Sequence, residues 1–510
     1  MAMTIRNGLP HHARRFVAAR PVRLFIVGLF MVVIVIGLGL PVFPGHNAVQ
    51  PASGGSGWFG RKKVDVSRLR VAVLEPSMYH AEVVAAVLGV MDDLNTETTL
   101  YARQVEVTDA LHQIVHGSSP KWITAPWDLA GASIASGDYD VAIITTCDVK
   151  FWMGGGGSEE ILDDLRFSAS TRVVCIPHEI ESYGYRMGED DFGMVGTFGL
   201  GQRLDYVTLG AHSARALTHS LRRFARDNDQ PFWENTPIES FAPVFEVPAT
   251  VPKKTHRKQV TKAGIVGRID LDHRDYSRIL QELEQSIMRE LNYRLPWVSA
   301  HSPVNPQLWG YEVIHHREAG ATSSTLRLSK VDDDAFTLHL IGFASDRQPI
   351  YPALLLDEDS PVVHIHEGAS TAEFYTLVRD LDVLLPAFID DLYVQARSSA
   401  SIPTAVIAET PLLANAPLLE AYTYLNPINY ILSPLAWSAV ASLATLRRGG
   451  DPWVEEFGAV PPPAPPPLQP HWWTRRSEQP EHFSTSEEYR RALRSVNAEV
   501  WRRILAKALP

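Results

Sequence analysis

The sequence predicts an α/β protein in which two doubly wound parallel sheets follow an N-terminal transmembrane helix. The chain of 510 residues is 45% hydrophobic and 21% charged, which is typical of globular proteins and long enough for two or three domains. Short apolar runs alternate with amphipathic helical segments over most of the chain, as in parallel sheets that are covered on both faces. One longer apolar stretch near the N-terminus predicts the membrane helix.

This membrane helix is predicted at residues 24–43 (LFIVGLFMVVIVIGLGLPVF), a stretch without a charged residue. At 1.5 Å per residue such a helix is about 30 Å long, the thickness of a hydrocarbon core. Residues 1–23 contain arginines and no acidic residue, so the positive-inside rule places them in the cytoplasm. We therefore expect a single-pass type II membrane protein whose body lies in the lumen of the ER or Golgi.

A cleaved signal peptide is the alternative interpretation of this stretch. The apolar core of a signal peptide has about 7–15 residues and is followed by small residues at the cleavage site. Residues 24–43 form a longer run, and no A-x-A pattern follows it. These features favour an uncleaved anchor, and the modest length of the span favours the thinner membranes of the early secretory pathway.

The charge balance argues against a nucleic-acid-binding surface. The net charge is −11, and because the basic residues 1–23 oppose it, the remaining body is more acidic than the whole chain. An acidic body repels the phosphate backbone of nucleic acids. We expect no nucleic acid partner.

The chain has only two cysteines, Cys147 and Cys175. Each follows a run rich in β-branched residues, so both are predicted near the ends of neighbouring strands. Two alternatives remain open for them: a buried pair of free thiols, or one disulfide formed in an oxidising lumen.

A first α/β domain is predicted at residues 67–245, after a stem at residues 44–66 that is rich in Gly, Ser and Pro. Its strands are nearly continuous apolar runs, which predicts burial on both faces of the sheet. The predicted strands are residues 69–74, 139–145, 172–176 and 206–209, and the predicted helices are residues 81–94 and 213–225.

A Pro-rich, basic linker at residues 246–262 leads to a second α/β domain at residues 263–446. Its predicted strands are residues 263–266, 337–341, 362–365 and 382–385, its predicted helices are 276–292 and 371–379, and a helix-to-strand transition is predicted at 405–413. The tail, residues 447–510, contains a polyproline segment at 460–470 and an amphipathic helix at 487–509. One face of that helix carries Tyr489, Leu493, Val496, Val500, Ile504 and Leu505.

Four segments of the second domain carry a specific resemblance. In chain order they are AGIVGRIDLDHRDYSRIL (263–280), HLIGFA (339–344), STAEFYTLVRDLDVLLPAF (370–388) and SIPTAVIAETPLLAN (401–415). Their order and spacing resemble the C-terminal domain of the GT-B glycosyltransferases, and VAVLEPSMYHAEVVAAVLGVMD (71–92) resembles the start of their N-terminal domain less closely. The resemblance implies two facing Rossmann-like domains and sugar transfer from a nucleotide-sugar donor, held mainly by the second domain, to a glycan, lipid or protein acceptor. It implies no cofactor and no metal.

Two arginines are candidate donor-binding residues. Gly267 and Arg268 follow the strand that ends at residue 266, and ligands of open parallel sheets bind beyond the carboxyl ends of the strands. A guanidinium suits paired contacts with a diphosphate. Arg274 occupies the region where the family carries a Lys. The alternative for each arginine is a solvated surface residue.

Three serines, Ser398, Ser399 and Ser401, precede a helix that we expect Pro403 to start. Their hydroxyls and the free amides of the helix could hold the β-phosphate of a donor, or they could only cap the helix. Both interpretations remain open.

The sequence departs from the family at one pair of residues. Many retaining members carry two Glu, seven residues apart, and the second of them binds the donor ribose. Alignment of Thr410 with the Thr of the family motif GTPVV places Thr404 at the second Glu and Glu409 at the Gly. Neither Glu of the pair is present, so Thr404 is the candidate at the ribose position.

His80 is the candidate catalytic base because it lies in the first strand-to-helix loop, which faces the cleft between the two domains in the family. Its ordinary pKa of about 6.5 suits proton abstraction from an acceptor hydroxyl. His178 and Glu179 follow another predicted strand and are candidates for binding the acceptor or a phosphate. A structural role is the alternative for each histidine.

Other motifs carry weaker signals. Glycines 154–157 lack the G-x-G-x-x-G spacing of a dinucleotide site, and histidines 315, 316, 364 and 366 lack partners at metal-ligand spacing. We therefore expect a lumenal glycosyltransferase without a metal. The alternative from another class is a catalytically silent protein of the same fold that binds glycans or scaffolds other enzymes, which the missing Glu pair favours.

Overall fold

The computed structural model describes residues 64–76, 80–103, 111, 122–148, 151, 159–168, 170–181, 203–290, 308–316, 325–458 and 483–509. The predicted transmembrane helix, the cytoplasmic tip, nearly all of the stem and the polyproline segment lie outside these residues. Within the part of the chain that the structure describes, no helix is long and apolar enough to cross a membrane.

The first sheet has seven strands in the order β3-β2-β1-β4-β5-β6-β7, and every neighbouring pair is parallel. The strands are β1 (Arg70–Glu75), β2 (Glu97–Ala102), β3 (Ile123–Pro126), β4 (Val141–Ile144), β5 (Arg172–Cys175), β6 (Leu204–Thr208) and β7 (Ile238–Ser240). The helices of this half that the structure describes include α1 (Ala81–Leu94), α2 (Ala130–Ala135), α3 (Glu159–Phe167) and α4 (Ala211–Asp227).

The second sheet has six parallel strands in the order β12-β11-β8-β13-β14-β15. They are β8 (Lys262–Val266), β11 (Thr337–Gly342), β12 (Val363–Glu367), β13 (Val383–Leu384), β14 (Leu412–Ala414) and β15 (Tyr430–Leu432), and a separate antiparallel hairpin is formed by β9 (Tyr311–His316) and β10 (Thr325–Lys330). The helices are α5 (Tyr276–Glu290), α6 (Thr371–Asp380), α7 (Leu392–Gln395), α8 (Ser401–Ala408), α9 (Ala416–Ala421), α10 (Ala439–Arg447), α11 (Pro452–Phe457) and the terminal α12 (Ser486–Leu505).

The predicted α/β class with parallel sheets is confirmed. Each predicted strand overlaps an observed one, and the helix predicted at residues 81–94 has those bounds. The strands that the sequence did not indicate include β2, whose two buried threonines interrupt the apolar run, and the edge strands β3 and β15. An edge strand has one side without a neighbour, so it needs no continuous apolar run.

Two helix predictions require correction. The helix expected to start at Pro403 begins at Ser401, so Ser401 lies inside the helix and not before it. The terminal helix ends at Leu505, earlier than expected, and Asn497 is buried on its inner face while Val496 is only half-buried. Asn497 can be buried because its side-chain amide is hydrogen-bonded on both sides: it accepts from the Ala242 N–H and donates to the Ala242 carbonyl.

One apolar cluster joins the two sheets. Residues 64–510 form one compact unit, and this cluster includes Val73 of the first sheet, Leu384 of the second and Trp501 of α12. Each sheet also packs against a further apolar cluster of its own. Helix α12 contacts α1 in the first half and α8 in the second. The start of α1, the segment after β5 and the start of α8 line the same cleft, which is the candidate site.

Candidate active site

The cleft is partly open to solvent, and its cavity volume is only about 20 Å³. It is therefore narrow in this conformation, since ligand pockets typically have roughly 300–1,000 Å³. The lining residues are His80, Glu82, Val83, His178, Leu209 and Pro243 from the first half and Ser398, Ser399, Ala400, Pro403 and Tyr424 from the second. Four of the residues predicted from the sequence, two histidines and two serines, therefore meet here.

His80 is the residue immediately before α1, and its carbonyl accepts hydrogen bonds from the first turn of that helix. Its Nδ1 lies 3.5 Å from Glu82 Oε1, and its side chain is 28% exposed. Burial lowers the pKa of His80, but the Glu82 carboxylate, helped by Glu75 and Asp148, outweighs this effect and raises the pKa above its ordinary value. His80 therefore stands where it can exchange a proton with a molecule in the cleft.

His178 follows β5 and stacks on His80, with ring centroids 3.7 Å apart and an angle of 25° between the ring planes. Its Nε2 lies 2.9 Å from the carbonyl oxygen of Thr145, and because a carbonyl only accepts, Nε2 carries the hydrogen. Burial, and then the positive charge of His80, lower the pKa of His178 to about 4. His178 is therefore neutral near pH 7, and His80 is the stronger base of the pair.

Two links connect the segment after β4 to the segment after β5, which carries His178. Cys147 and Cys175 form a disulfide with a Cα–Cα distance of 5.6 Å, which decides between the two alternatives that the sequence left open. Asp148 Oδ1 accepts hydrogen bonds from the backbone N–H groups of His178 (2.8 Å) and Glu179 (3.0 Å). The Glu179 side chain is exposed, so its backbone contributes to the site in a way that the sequence did not indicate.

Glu75 is a site residue that the sequence analysis missed. It is the last residue of β1, it is 1% exposed, and its carboxylate accepts a hydrogen bond from the Thr145 hydroxyl. The available signal was a single acidic residue at the end of the apolar run RVAVLE. A charge in that position lies at the carboxyl edge of the sheet, where ligands of open parallel sheets bind.

Arg274 is buried beside the serines of the second half. It is 6% exposed, and its Nη2 lies 3.1 Å from Ser399 Oγ and 3.4 Å from Ser401 Oγ. Its guanidinium lies over the rings of Phe388 (4.9 Å) and Tyr393 (5.2 Å). No carboxylate among the described residues lies within 4.0 Å of it, and its Nε has no hydrogen-bond partner there.

Arg268 has a different environment. Its side chain is 64% exposed, and its Nε lies 3.1 Å from Asp270 Oδ2. Gly267 leaves room for the other arginine: its φ is +128°, and a Cβ at this position would lie 3.2 Å from Arg274 Nη2. Of the two candidate arginines, the structure therefore brings Arg274 to the serines and leaves Arg268 at the surface.

The three serines are hydrogen-bonded to different neighbours. Ser399 Oγ and Ser401 Oγ lie 2.8 Å apart, whereas Ser398 Oγ lies 2.8 Å from Ser213 Oγ of α4 in the first half. The Thr404 hydroxyl donates to the carbonyl of Ala400 (2.8 Å), and the residue is 3% exposed. This hydroxyl is used inside its own helix, so the geometry does not place it at a ribose.

Among the described residues, no group of three or more His, Cys, Asp or Glu side chains is arranged to hold a metal ion. Histidines 339, 364 and 366 lie side by side on β11 and β12, but their rings are nearly parallel and do not converge on one point.

No protein-family model matches the chain, and no curated protein sequence matches it. Three solved structures illustrate what the chain is similar to. Anabaena Alr3699/HepE in complex with UDP and glucose is 10% identical, covers 68% of this chain and 81% of that one, and has a TM-score of 0.36.

The second structure is a UDP-glucosyltransferase from Polygonum tinctorium capable of glucosylating indoxyl, with 8% identity, coverage of 85% and 99%, and a TM-score of 0.36. The third is UDP-GlcNAc 2-epimerase from Neisseria meningitidis, with 9% identity, coverage of 68% and 82%, and a TM-score of 0.31. Identities and TM-scores in this range do not establish that the chain belongs to the family of any of these proteins.

Proposed function

We propose that the protein is a GT-B glycosyltransferase that moves a sugar from a nucleotide-sugar donor to an acceptor bound in the cleft between the two sheets. Arg274, with Ser399 and the start of α8, binds the diphosphate of the donor. His80 takes the proton from the acceptor hydroxyl as the new glycosidic bond forms, and the nucleoside diphosphate leaves from the anomeric carbon. The acceptor is a glycan, a lipid or a protein.

The observation that carries this proposal is the environment of Arg274. A buried guanidinium without a carboxylate is costly, and the two aromatic rings offset only part of that cost. An anion beside Ser399 would satisfy both the charge and the two serine hydroxyls. Ser399 also lines the cleft that contains His80, so an anion held by Arg274 lies next to the candidate base.

His80 suits the role of base through its neighbours. Glu82 stabilises the charged imidazole that results from proton abstraction, and His178 fixes the ring by stacking on it. A base must be positioned as well as have a suitable pKa, and these contacts supply the positioning.

The proposed location is the lumen of the ER or Golgi, with residues 24–43 as the anchor. The disulfide between Cys147 and Cys175 supports this location, since disulfides persist in oxidising compartments and are rare in the cytosol. The proposed membrane partner is the bilayer around the anchor.

The test uses the full-length protein in detergent. Thermal unfolding is measured with UDP, GDP and ADP and with their sugar conjugates, together with release of nucleotide from each donor. We expect one nucleotide class to raise the unfolding temperature, because a ligand that binds only the folded state stabilises it. If no nucleotide shifts the transition and no donor is cleaved, the enzyme proposal is wrong.

Substitutions of Arg274 test whether this residue binds the anion. Arg274→Gln should weaken nucleotide binding about 10- to 100-fold, the effect of losing about 1.5–3 kcal/mol of charged hydrogen bonds, and Arg274→Lys should restore part of it. The matched control is Arg278→Gln: Arg278 is 62% exposed and pairs with Glu282 along α5. Equal binding by Arg274→Gln and Arg278→Gln would remove Arg274 from the site.

A catalytically silent protein of the same fold, which binds glycans or scaffolds other enzymes, is the second candidate. It is favoured by the absence of the family Glu pair, since Thr404 stands at the position of the second Glu and Glu409 at that of the family Gly. The Thr404 hydroxyl is bonded within its helix, and the Glu409 carboxylate pairs with Arg379 and Arg490. Nucleotide binding without cleavage of any donor would support this candidate over the enzyme.

A further inference from the structure

The strands β4 and β5 are neighbours, and the segments that follow them carry most of the groups around the two histidines. Thr145, Cys147 and Asp148 come directly after β4, whereas Cys175 ends β5 and His178 follows three residues later. The parallel register places Ile144 opposite Cys175. These two segments therefore leave the sheet side by side at its carboxyl edge.

Four links tie the two segments together. His178 Nε2–H donates to the Thr145 carbonyl (2.9 Å), and the Cys147 N–H donates to the Ile176 carbonyl (3.3 Å). Asp148 Oδ1 accepts from two backbone N–H groups, those of His178 and Glu179. The disulfide is the fourth link, and among the described residues it is the only covalent one.

These links lie in the interior. Cys147 and Cys175 are both 0% exposed, and His178 is 5% exposed. Within the described residues the disulfide is thus placed to fix the geometry of the loop ends rather than to exchange readily with solvent thiols, because exchange requires access of an attacking thiolate.

We infer that the Cys147–Cys175 disulfide and Asp148 are positioning elements of the candidate active site, which hold the His178 ring against the His80 ring. The inference rests on the proposed function only for the role of His80 as base. His178 acts through His80 and is a positioning residue.

The charges around the pair explain why its position matters. His80 and His178 are faced by Glu75 of β1, Glu82 of α1 and Asp148 after β4, and by the uncharged Ser398 and Ser399 from the second half. Burial, and then the charge of the His80 ring 3.7 Å away, lower the pKa of His178, whereas the carboxylates raise the pKa of His80. A His178 ring that swings away loses this restraint, and its pKa returns towards 6.5.

The test follows the reactivity of individual histidines in the full-length protein. Diethyl pyrocarbonate acylates neutral, accessible imidazoles, and peptide mass spectrometry gives the rate at each histidine between pH 5 and 8. In the wild type we expect His178 to be protected at every pH. In Cys147→Ala/Cys175→Ala we expect its rate to rise at least fivefold and to follow a titration near pH 6.5.

Asp148→Ala is the second variant, because it removes both hydrogen bonds that Asp148 accepts without touching the disulfide. Asp148→Asn should behave like the wild type, since its side-chain oxygen still accepts hydrogen bonds. His219, which is exposed on α4, reports the activity of the reagent, and His212, which is 1% exposed, reports the integrity of the fold.

An unchanged, protected His178 in both the cysteine and the Asp148→Ala variants would overturn the inference. Simultaneous exposure of His178 and His212 would also overturn it, since the links would then stabilise the whole half of the protein rather than one ring. The histidine modification is measured without a donor or an acceptor. Failure of the proposed function is therefore recognised separately, by the absence of nucleotide binding.

Discussion

At the scale of one residue, Glu409 combines a backbone conformation that favours glycine with ion pairs that favour glutamate. It follows α8 with φ of 60° and ψ of 27°, in the left-handed region, where a glycine would be more stable by about 1 kcal/mol. Its carboxylate pairs with Arg490 and with Arg379, both at 2.9 Å. The side chains of these arginines are only 5% and 11% exposed, so the ion pairs decide in favour of glutamate.

We predict that Glu409→Gly destabilises the protein by about 2–4 kcal/mol, because the loss of a partner of buried charges, about 3–5 kcal/mol, exceeds the gain in backbone freedom. The denaturant midpoint measured by circular dichroism checks this. The control is Asp229→Gly, at an exposed residue with φ of 53°, which should be neutral or stabilise by up to about 1 kcal/mol. Equal stability of Glu409→Gly and the wild type would contradict the role given to the ion pairs.

The same residue explains why its identity was ambiguous in the sequence. Glu409 stands where the resembled family has glycine, and its φ of 60° lies in the region that favours glycine. Nothing in the local sequence indicates its two arginine partners, since Arg490 lies on the terminal helix. The sequence analysis therefore predicted neither the left-handed conformation nor the ion pairs.

At the scale of elements, the strand pair β11–β12 carries a cluster of neutral histidines. His339 Nδ1 lies 2.9 Å from His366 Nε2, and the rings of His339 and His364 lie 5.0 Å apart. Burial and the neighbouring His364 and His366 lower the pKa of His339 to about 3, and the pKa values of His364 and His366 are also lowered, chiefly by burial.

We predict that this strand pair makes the fold less stable in acid. Below pH 6.5 these histidines bind protons in the unfolded chain but stay neutral in the folded protein. The free energy of unfolding therefore decreases as the pH falls from about 6.5 towards 3. His339→Gln should reduce the loss of stability between pH 7.5 and 5.5, measured as the shift of the denaturant midpoint. His219→Gln, on the exposed face of α4, should leave the loss unchanged, and an equal effect of both variants would show that the cluster is not the cause.

Elements also differ in how well the sequence indicates them. Helix α1 and strands such as β8 and β11 were predicted within one residue, because their apolar periodicity is a local property. The start of α8 was misplaced by two residues, since proline favours the first turn of a helix and need not mark its first residue. The hairpin β9–β10 carries no strong apolar run and was not predicted.

At the scale of the whole molecule, α12 joins the two halves. Asn497 bonds to Ala242 at the end of the first half, Arg490 donates to the carbonyl of Ile407 in α8, and Trp501 is fully buried against Phe241. The cleft depends on this arrangement, because its lining comes from both halves.

The membrane topology proposed for the whole chain can be tested by protease protection. If residues 24–43 anchor the protein with the body in the lumen, intact microsomes should protect the body from added protease, and detergent should abolish the protection. The physical reason is the arginine-rich segment at residues 1–23, which resists translocation. A chain in which five arginines at positions 6, 14, 15, 20 and 23 are replaced by Gln should lose the uniform orientation; digestion of the wild-type body in intact microsomes would contradict the topology.

The sequence by itself determined the α/β class, the positions of most buried strands, and the polar residues at their carboxyl ends, because these follow from local periodicity and from the geometry shared by all parallel sheets. Only the tertiary structure decided that Arg274 and not Arg268 lies against Ser399, that Cys147 and Cys175 are bonded, and that His178 rests on His80. Burial and pairing depend on residues far apart in the chain, and a single sequence contains no distance between them.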